Sequence, residues 1–252
     1  MQYELKEFRD GQVTAKVLQK GDLEVKVRGN SYTDLFKVAS IKEGWDSNPR
    51  ANKNSFSSLN IACLIGQRSD RRFGENESFD LKVIANFINS MGFDEVKIFH
   101  PHSDVSLALI ENAVRVSHSE YVKQAYQAEG QPVLVSPDAG AYKSTKVLAD
   151  EFGADLIPSN KVRVNGVPSI SFQGDVKGKN CLIVDDLADG GRTFKQLAKA
   201  LKEQGAKRVT LYVSHAQFNF GFDELRKSLD NIYCTNSYKD IEDDFVTQFK
   251  VV

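Results

Sequence analysis

The residues with the clearest potential for chemistry lie in one short segment, Asp185-Asp-Leu-Ala-Asp-Gly-Gly-Arg-Thr193, which follows the apolar run Cys181–Val184. The glycines Gly190 and Gly191 allow backbone amides to turn toward an anion, and the hydroxyl of Thr193 adds a further donor. A helix that begins directly after such a loop presents unpaired amides and the positive end of its dipole. The segment therefore predicts a loop that binds phosphate.

The aspartates of this loop predict a second contact with the same ligand. A phosphate would repel Asp185 and Asp186, so we expect them to accept hydrogen bonds from sugar hydroxyls or to approach a magnesium ion. An ordinary strand-to-helix turn with capping aspartates is the competing interpretation. Because three aspartates, including Asp189, occur within five residues, we favour a site for a phosphorylated sugar.

These residues need a scaffold, and the chain alternates between predicted strands and helices. We predict strands at 59–65, 95–99, 132–135, 181–184 and 208–213, and helices at 78–91, 141–152 and 193–204. The spacing Ser117-His-Ser-Glu120 is typical of a capping box before another helix. This alternation predicts an α/β fold with mainly parallel sheets and helices on both faces. We divide the chain into domains at 1–115 and 116–252.

The first part of the chain gives a different pattern. Apolar and polar residues alternate from Val13 to Val27 on both sides of Gln19-Lys-Gly-Asp22, which predicts two half-exposed strands joined by a tight turn. The stretch Trp45–Ser55 is polar and rich in turn-forming residues, so we predict a loop.

Composition excludes several classes of function. The 252 residues include 33 lysines and arginines against 34 aspartates and glutamates. This balance favours neither a nucleic-acid partner nor a membrane surface. The three cysteines are far apart, which is typical of buried thiols in a reducing compartment. No apolar run has the length of a signal or a membrane span, so we expect a cytoplasmic protein.

The composite Asp-Asp-x-x-Asp-Gly-Gly-Arg-Thr resembles the ribose-phosphate loop that phosphoribosyltransferases share with ribose-phosphate pyrophosphokinases. Further segments resemble the pyrophosphokinases, a family with two phosphoribosyltransferase-like domains. Gln67-Arg-Ser-Asp-Arg-Arg72 is similar to their arginine-rich ATP loop, Phe99-His-Pro-His102 to the segment that carries a histidine beside the ATP phosphates, and Val135-Ser-Pro-Asp138 to their diphosphate loop. The first part of this chain is shorter than theirs.

The resemblance implies a role for each matching residue. Lys161, Arg163 and His102 match catalytic positions, and His102, Asp138 and Asp185 match positions near magnesium. The ATP-binding positions are Phe8, Asp10, Gln12, Arg68, Asp70 and Arg71. The ribose-phosphate positions are Asp185, Asp186, Asp189, Gly190, Gly191, Arg192 and Thr193. The implied reaction moves a diphosphate from ATP to the anomeric hydroxyl of ribose 5-phosphate, with Mg²⁺ as cofactor and AMP as the leaving group, in a homo-oligomer.

The sequence also departs from the family pattern. His100 stands where the family usually carries an acidic residue near the metal, and Ser69 and Gln12 replace a usual glutamine and glutamate. Arg192 adds a guanidinium beside the 5-phosphate, which leads to the hypothesis of a larger acceptor such as ADP-ribose. A phosphoribosyltransferase that does not use ATP and an inactive regulatory homologue are two competing interpretations. A dinucleotide-binding oxidoreductase is disfavoured because no Gly-x-Gly-x-x-Gly follows a predicted strand.

Overall fold

A computed structural model of the chain describes residues 3–18, 20–47, 49, 53–164 and 167–251, without the side chains of 161–169. The chain divides into two compact units, one up to Ser117 and the other from His118 to Val251. In the part of the chain that the structure describes, no helix is long and apolar enough to cross a membrane.

The first unit contains a parallel sheet of four strands in the order β3-β4-β5-β6 and a two-stranded antiparallel ribbon, β1-β2. Its strands are β1 (Tyr3–Glu7), β2 (Val13–Val17), β3 (Leu23–Val27), β4 (Ser57–Ile61), β5 (Glu95–Phe99) and β6 (Ala113–Val116). Its helices are α1 (Tyr32–Asp46), α2 (Asp80–Ser90) and α3 (Val105–Leu109). One hydrophobic core joins the sheet to α1 and α2.

The strands predicted between Val13 and Val27 exist, but the prediction that they form a hairpin is wrong. β2 pairs with β1, whereas β3 pairs in parallel with β4 in another sheet. Burial explains the difference, because Leu23 and Val25 of β3 are only 2% and 1% exposed. The four-stranded parallel sheet gives these side chains a hydrophobic core to pack in. Gln19, in the predicted turn, lies outside the described residues.

Helix α1 also corrects the predicted loop at Trp45–Ser55, because it extends through Trp45. The indole of Trp45 is buried, and its Nε1 donates a hydrogen bond to the carbonyl oxygen of Gly21 at 2.9 Å. The helix begins after Ser31, whose Oγ accepts a hydrogen bond from the amide of Asp34 at 3.1 Å. An indole that gains both burial and a hydrogen bond overrides the local preference for a turn.

The second unit is built on a sheet of seven strands in the order β13-β12-β11-β10-β7-β8-β9, parallel except for the antiparallel pair β8-β9. Its strands are β7 (Val133–Ser136), β8 (Leu156–Val164), β9 (Val167–Phe172), β10 (Asn180–Ala188), β11 (Arg208–Ala216), β12 (Asn231–Thr235) and β13 (Val246–Phe249). Its helices are α4 (Ser119–Ala128), α5 (Ala139–Phe152), α6 (Arg192–Glu203) and α7 (Asp223–Arg226). The predicted α/β class is confirmed.

Successive residues of β10 enter two separate cores. Leu182 and Val184 pack in the core that includes residues of α4 and α5. Cys181 and Ile183 pack on the other face, in the core that includes residues of α6. Because both faces are covered, the strand is apolar from Cys181 to Val184. β10 then continues through Asp185 and Asp186 to Ala188, so these two aspartates lie on the strand and not in the loop predicted from the sequence.

The capping box predicted at Ser117–Glu120 is wrong. Helix α4 has His118, and not Ser117, at its N-cap position, and the side chain of His118 makes no capping hydrogen bond. The hydroxyl of Ser119 instead contacts the carboxylate of Glu151 on α5. Tertiary contact therefore replaces the local cap that the spacing suggested.

Candidate functional site

The glycine-containing loop lies between the carboxyl end of β10 and the first turn of α6. Gly191 occupies the N-cap position of α6 with φ +70°, and its carbonyl oxygen accepts a hydrogen bond from the amide of Lys195 at 3.0 Å. This left-handed conformation favours glycine. Arg192 and Thr193 form the first residues of the helix, and Arg192 is exposed. The chain therefore presents a helix N-terminus where the sequence predicts phosphate binding.

Both glycines have close neighbours. A Cβ on Gly191 would lie 3.0 Å from a methyl group of the buried Leu225, and a Cβ on Gly190 would lie 3.0 Å from the ring of Phe220. The two contacts differ in severity, because the ring of Phe220 is 86% exposed and can move. The backbone of the loop thus approaches its surroundings more closely than a larger residue allows.

Asp138 follows the carboxyl end of β7, and Asp185 lies near the carboxyl end of β10, the adjacent parallel strand. The chain leaves these strands in opposite directions, since α5 after β7 packs on one face of the sheet and α6 after β10 on the other. Such a switch in strand order opens a crevice at the carboxyl edge of the sheet, where ligands of open α/β proteins bind. The structure brings these two predicted residues to one place.

The carboxylates at this edge influence one another. Burial and the negative charge of Asp186 raise the pKa of Asp185 well above its ordinary value, and the charge of Asp138 adds to that effect. The amide of Asp186 donates a hydrogen bond to Oδ1 of Asp185 at 2.9 Å, which favours the ionised form and opposes the shift. An approaching cation or hydroxyl group would relieve the repulsion.

Asp138 also has a structural task. It is the N-cap residue of α5, and its Oδ1 accepts hydrogen bonds from the amides of Gly140 and Ala141 at 3.0 and 3.2 Å. A carboxylate in this position caps the helix and remains at its positive end. Across the described residues, no group of three or more His, Cys, Asp or Glu side chains is arranged to hold a metal ion. Any cation here would take its remaining ligands from substrate and water.

Sequence reasoning missed a segment that borders the loop, the turn after β11. Asn219 donates a hydrogen bond from Nδ2 to Oδ1 of Asp189 at 2.7 Å, and its amide donates to the carbonyl oxygen of Asp189 at 3.1 Å. No motif marks Asn219. Its position after a buried strand, next to β10 in the sheet, is the signal that could have indicated it.

In the first unit, the arginine-rich loop and the histidine segment are connected by Gln67. The Gln67 side chain is buried, and its Oε1 accepts a hydrogen bond from the backbone amide of His102 at 3.0 Å. The imidazole of His102 is exposed, whereas His100 is buried and has φ +39°. This connection brings His102 and the start of the predicted ATP loop together.

The loop itself exposes its cations. Arg68 and Arg71 are exposed, and the guanidinium of Arg71 stacks on the ring of Phe73 at 5.2 Å. Asp70 is half-buried. Arg72 donates a hydrogen bond to the carbonyl oxygen of Glu77, which closes the loop on itself. The loop therefore presents positive charge on a short, internally bonded turn.

The remaining predicted residues lie in two hairpins. Phe8, Asp10 and Gln12 form the tip of the β1-β2 ribbon, where Oδ1 of Asp10 accepts a hydrogen bond from the amide of Gln12 at 3.0 Å. Lys161 and Arg163 lie on β8 and pair with Ile170 and Pro168 of β9. Their side chains lie outside the described part of the chain.

Comparison with known proteins identifies relatives that match most of the chain. The sequence model of the family described as phosphoribosyl transferase domain matches residues 109–251. Ribose-phosphate pyrophosphokinase of Pyrococcus furiosus is 26% identical over 242 residues, which cover 93% of this chain and 85% of that protein. The enzyme of the same name from Vibrio parahaemolyticus is 32% identical over 179 residues, 68% of this chain and 57% of that protein.

A solved structure supports the fold. The crystal structure of phosphoribosylpyrophosphate synthetase from Mycobacterium smegmatis is similar to this chain with a TM-score of 0.80 and 20% sequence identity. The similarity covers 98% of this chain and 85% of that one. At this identity the likeness concerns the arrangement of strands and helices.

Proposed function

Because the chain belongs to the phosphoribosyl transferase family, with ribose-phosphate pyrophosphokinases among its relatives, we propose that it is an ATP-dependent diphosphotransferase. The acceptor is the anomeric hydroxyl of ribose 5-phosphate. Its oxygen forms a bond to the β-phosphorus of ATP while the bond from that phosphorus to the α-phosphate oxygen breaks. The products are phosphoribosyl diphosphate, AMP and the proton of the hydroxyl group.

One observation carries this proposal. At the carboxyl edge of β10, a glycine loop and a helix N-terminus stand next to the carboxylates of Asp185 and Asp138. A phosphorylated sugar needs both, because its phosphate is bound by amides and its hydroxyls donate to carboxylates. In the proposed complex, Gly190, Gly191 and Thr193 hold the 5-phosphate.

The first unit supplies the nucleotide site in this proposal. Arg68 and Arg71 neutralise charge on the ATP phosphates, and His102 donates to a phosphate oxygen. Phe8 and Asp10, at the tip of the ribbon, contact the adenine. In the second unit, Lys161 and Arg163 of β8 stabilise charge that develops on the transferring diphosphate.

Magnesium is part of the proposal because the residues at the switch point fit it. Burial and the negative charge of Asp186 raise the pKa of Asp185. A divalent cation would relieve the repulsion between the carboxylates, and hard oxygen ligands suit Mg²⁺. Asp138 and Asp185 would hold the ion directly or through water. When bound, it neutralises phosphate charge during transfer.

ADP-ribose is the second candidate acceptor. The exposed guanidinium of Arg192, at the first residue of α6, favours it because a second phosphate beyond the first would lie within reach of a bidentate cation. The chemistry would be unchanged, since the terminal ribose of ADP-ribose also carries an anomeric hydroxyl.

The test is AMP formation from MgATP with ribose 5-phosphate, with ADP-ribose, and with neither acceptor. We expect AMP to depend on ribose 5-phosphate, and Lys161→Ala to slow its formation by roughly a hundredfold or more because a phosphate-neutralising cation is lost. Lys199→Ala is the matched control, since Lys199 lies on the surface of α6 and pairs with Glu203 at 3.7 Å.

Three different results would contradict the proposal, each in its own way. AMP formed only with ADP-ribose would select the second acceptor. Consumption of phosphoribosyl diphosphate by a nucleobase without ATP would indicate a phosphoribosyltransferase. Absence of every reaction, with a folded protein, would indicate a regulatory homologue.

A further inference from the structure

The turn after β11 runs alongside the ribose-phosphate loop and is hydrogen-bonded to it. The amides of Gln217 and Phe218 both donate to the carbonyl oxygen of Ala188, at 2.9 and 3.1 Å. The amide of Asn219 donates to the carbonyl oxygen of Asp189 at 3.1 Å. Three backbone hydrogen bonds thus hold this turn against the segment that precedes Gly190.

The turn is held in a conformation that L-residues rarely adopt. Phe218 has φ +43°, which is unfavourable for a residue with a large side chain. Its ring is only 3% exposed and packs on Phe222 with ring centroids 5.0 Å apart. The buried ring therefore fixes a strained backbone, and strain of this kind concentrates at functional sites. Its direct effect is to place the next residue, Asn219, against Asp189.

The side chain of Asn219 then makes a contact that the backbone does not need. Its Nδ2 donates to Oδ1 of Asp189 at 2.7 Å, and this pair lies at the surface. Since the backbone hydrogen bonds already hold the turn, the amide is an addition directed at the Asp189 carboxylate. A hydrogen bond of this length to a charged group limits the rotation of that carboxylate.

We propose that Asn219 is a positioning residue of the acceptor site, which acts through Asp189. This inference rests on the proposed function, because a positioned Asp189 carboxylate matters only if ribose phosphate binds at this loop. In the inference, the Asp189 carboxylate accepts a hydrogen bond from a hydroxyl of the bound sugar. A carboxylate that is already oriented loses less conformational freedom when the sugar binds. Asn219 therefore raises affinity for the acceptor without touching it.

Three variants separate positioning from simple structural support. Asn219→Ala removes the hydrogen bond. Asn219→Asp replaces it with repulsion between two carboxylates. The double variant Asp189→Asn with Asn219→Asp restores the hydrogen bond but moves the carboxylate to the opposite side. Asn231→Ala is the matched control, because Asn231 donates from Nδ2 to Oγ1 of Thr247 at 3.2 Å, at the start of β12.

The measurements are the KM values for ribose 5-phosphate and ATP, kcat, the melting temperature, and the Kd of ribose 5-phosphate by calorimetry. We expect Asn219→Ala to raise the KM and Kd for ribose 5-phosphate roughly tenfold, the scale of one hydrogen bond to a charged group. The ATP KM and the melting temperature stay at the wild-type values. Asn219→Asp should raise the KM and Kd for ribose 5-phosphate more than Asn219→Ala does. The double variant should also show raised KM and Kd values, and Asn231→Ala should keep the wild-type values.

Two outcomes would overturn the inference. One is an Asn219→Ala protein with the wild-type Kd for ribose 5-phosphate. The second is a double variant with the wild-type KM and Kd for ribose 5-phosphate, which would mean that the hydrogen bond matters and the position of the carboxylate does not. Failure of the proposed function is a separate result, because it would be seen as absence of acceptor-dependent AMP in the wild-type protein, whereas the ratio of Kd values decides the role of Asn219.

Discussion

The buried side chain of Gln67 accepts a hydrogen bond from the backbone amide of His102, with 3.0 Å between Oε1 and the nitrogen. Gln67 begins the arginine-rich loop, and His102 follows β5 by three residues. Two segments that are 35 residues apart in the chain are therefore joined at the predicted ATP site.

Gln67→Leu should weaken both the fold of the first unit and its nucleotide site. The change removes the oxygen that accepts the hydrogen bond of the His102 amide in a part-buried position, which costs about 1–3 kcal/mol. Urea denaturation measures the loss, and the ATP KM should rise while the ribose 5-phosphate KM stays unchanged. A variant with wild-type stability and a wild-type ATP KM would show that Gln67 does not hold His102 in place.

Asp185→Asn should stabilise the protein in the absence of substrate and slow the reaction. Burial and the charge of Asp186 raise the pKa of Asp185, so the ionised carboxylate destabilises the native state at neutral pH. Removing the charge should raise the melting temperature by a few degrees, since each kcal/mol added to the free energy of unfolding raises it by about 2–4 °C.

The pH dependence has a definite sign. As the pH falls through the raised pKa of Asp185, the wild-type carboxyl binds a proton in the native state and its destabilising charge disappears. The difference in melting temperature between wild type and Asp185→Asn should therefore be present at pH 7 and shrink in acid. Magnesium should raise the melting temperature of the wild type more than that of the variant. A variant that melts lower than wild type at pH 7 would contradict this account.

The two glycines of the loop should respond differently to alanine. Gly191→Ala is strained by φ +70° and meets the buried Leu225, so it should cost about 1–2 kcal/mol and impair acceptor binding strongly. Gly190→Ala meets only the exposed ring of Phe220, which can move aside. Calorimetric titration with ribose 5-phosphate compares them. An equal or larger effect at Gly190 would contradict this ranking.

Glu129 provides a test of stability away from the site. Glu129 is 6% exposed. Its carboxylate accepts hydrogen bonds from Nε of Arg208 at 2.6 Å and from the hydroxyl of Tyr233 at 2.7 Å. Arg208 is the first residue of β11, so this contact lies at the amino ends of the parallel strands, away from the loop. Glu129→Ala should lower the free energy of unfolding by about 2–3 kcal/mol. Both KM values should remain unchanged. A changed acceptor KM would show that this edge is coupled to the loop.

The parts of the fold that can be predicted from sequence share a strong periodic signal. β10 includes the predicted residues 181–184 because its buried part is an uninterrupted apolar run. β5 lies at the predicted residues 95–99, where Val96 and Ile98 are buried and alternate with Glu95 and Lys97. Helix α1 escapes prediction because some of its apolar residues lie outside the buried face, which hides the periodic pattern. Leu35 and Val38 are buried, whereas Tyr32 and Phe36 are 59% and 62% exposed.

The residues of the candidate site also differ in whether the sequence can predict them. The phosphate loop is contiguous in the chain, so residue types and spacing predict it. The nearness of Asp138 to Asp185 depends on the order of strands in the sheet, with β7 beside β10. Asn219 escapes prediction because its role depends on β11 lying beside β10 and on the strained backbone of Phe218. Neither condition is visible in local sequence.

In the proposed reaction, a diphosphate moves intact from ATP to the anomeric oxygen of ribose 5-phosphate. The most direct test is ³¹P nuclear magnetic resonance of the sugar product formed from MgATP and ribose 5-phosphate, with AMP measured in the same sample. We expect a coupled pair of diphosphate resonances on the sugar product and one molecule of AMP for each molecule of that product. ADP in place of AMP, or inorganic diphosphate with unmodified ribose 5-phosphate, would contradict it.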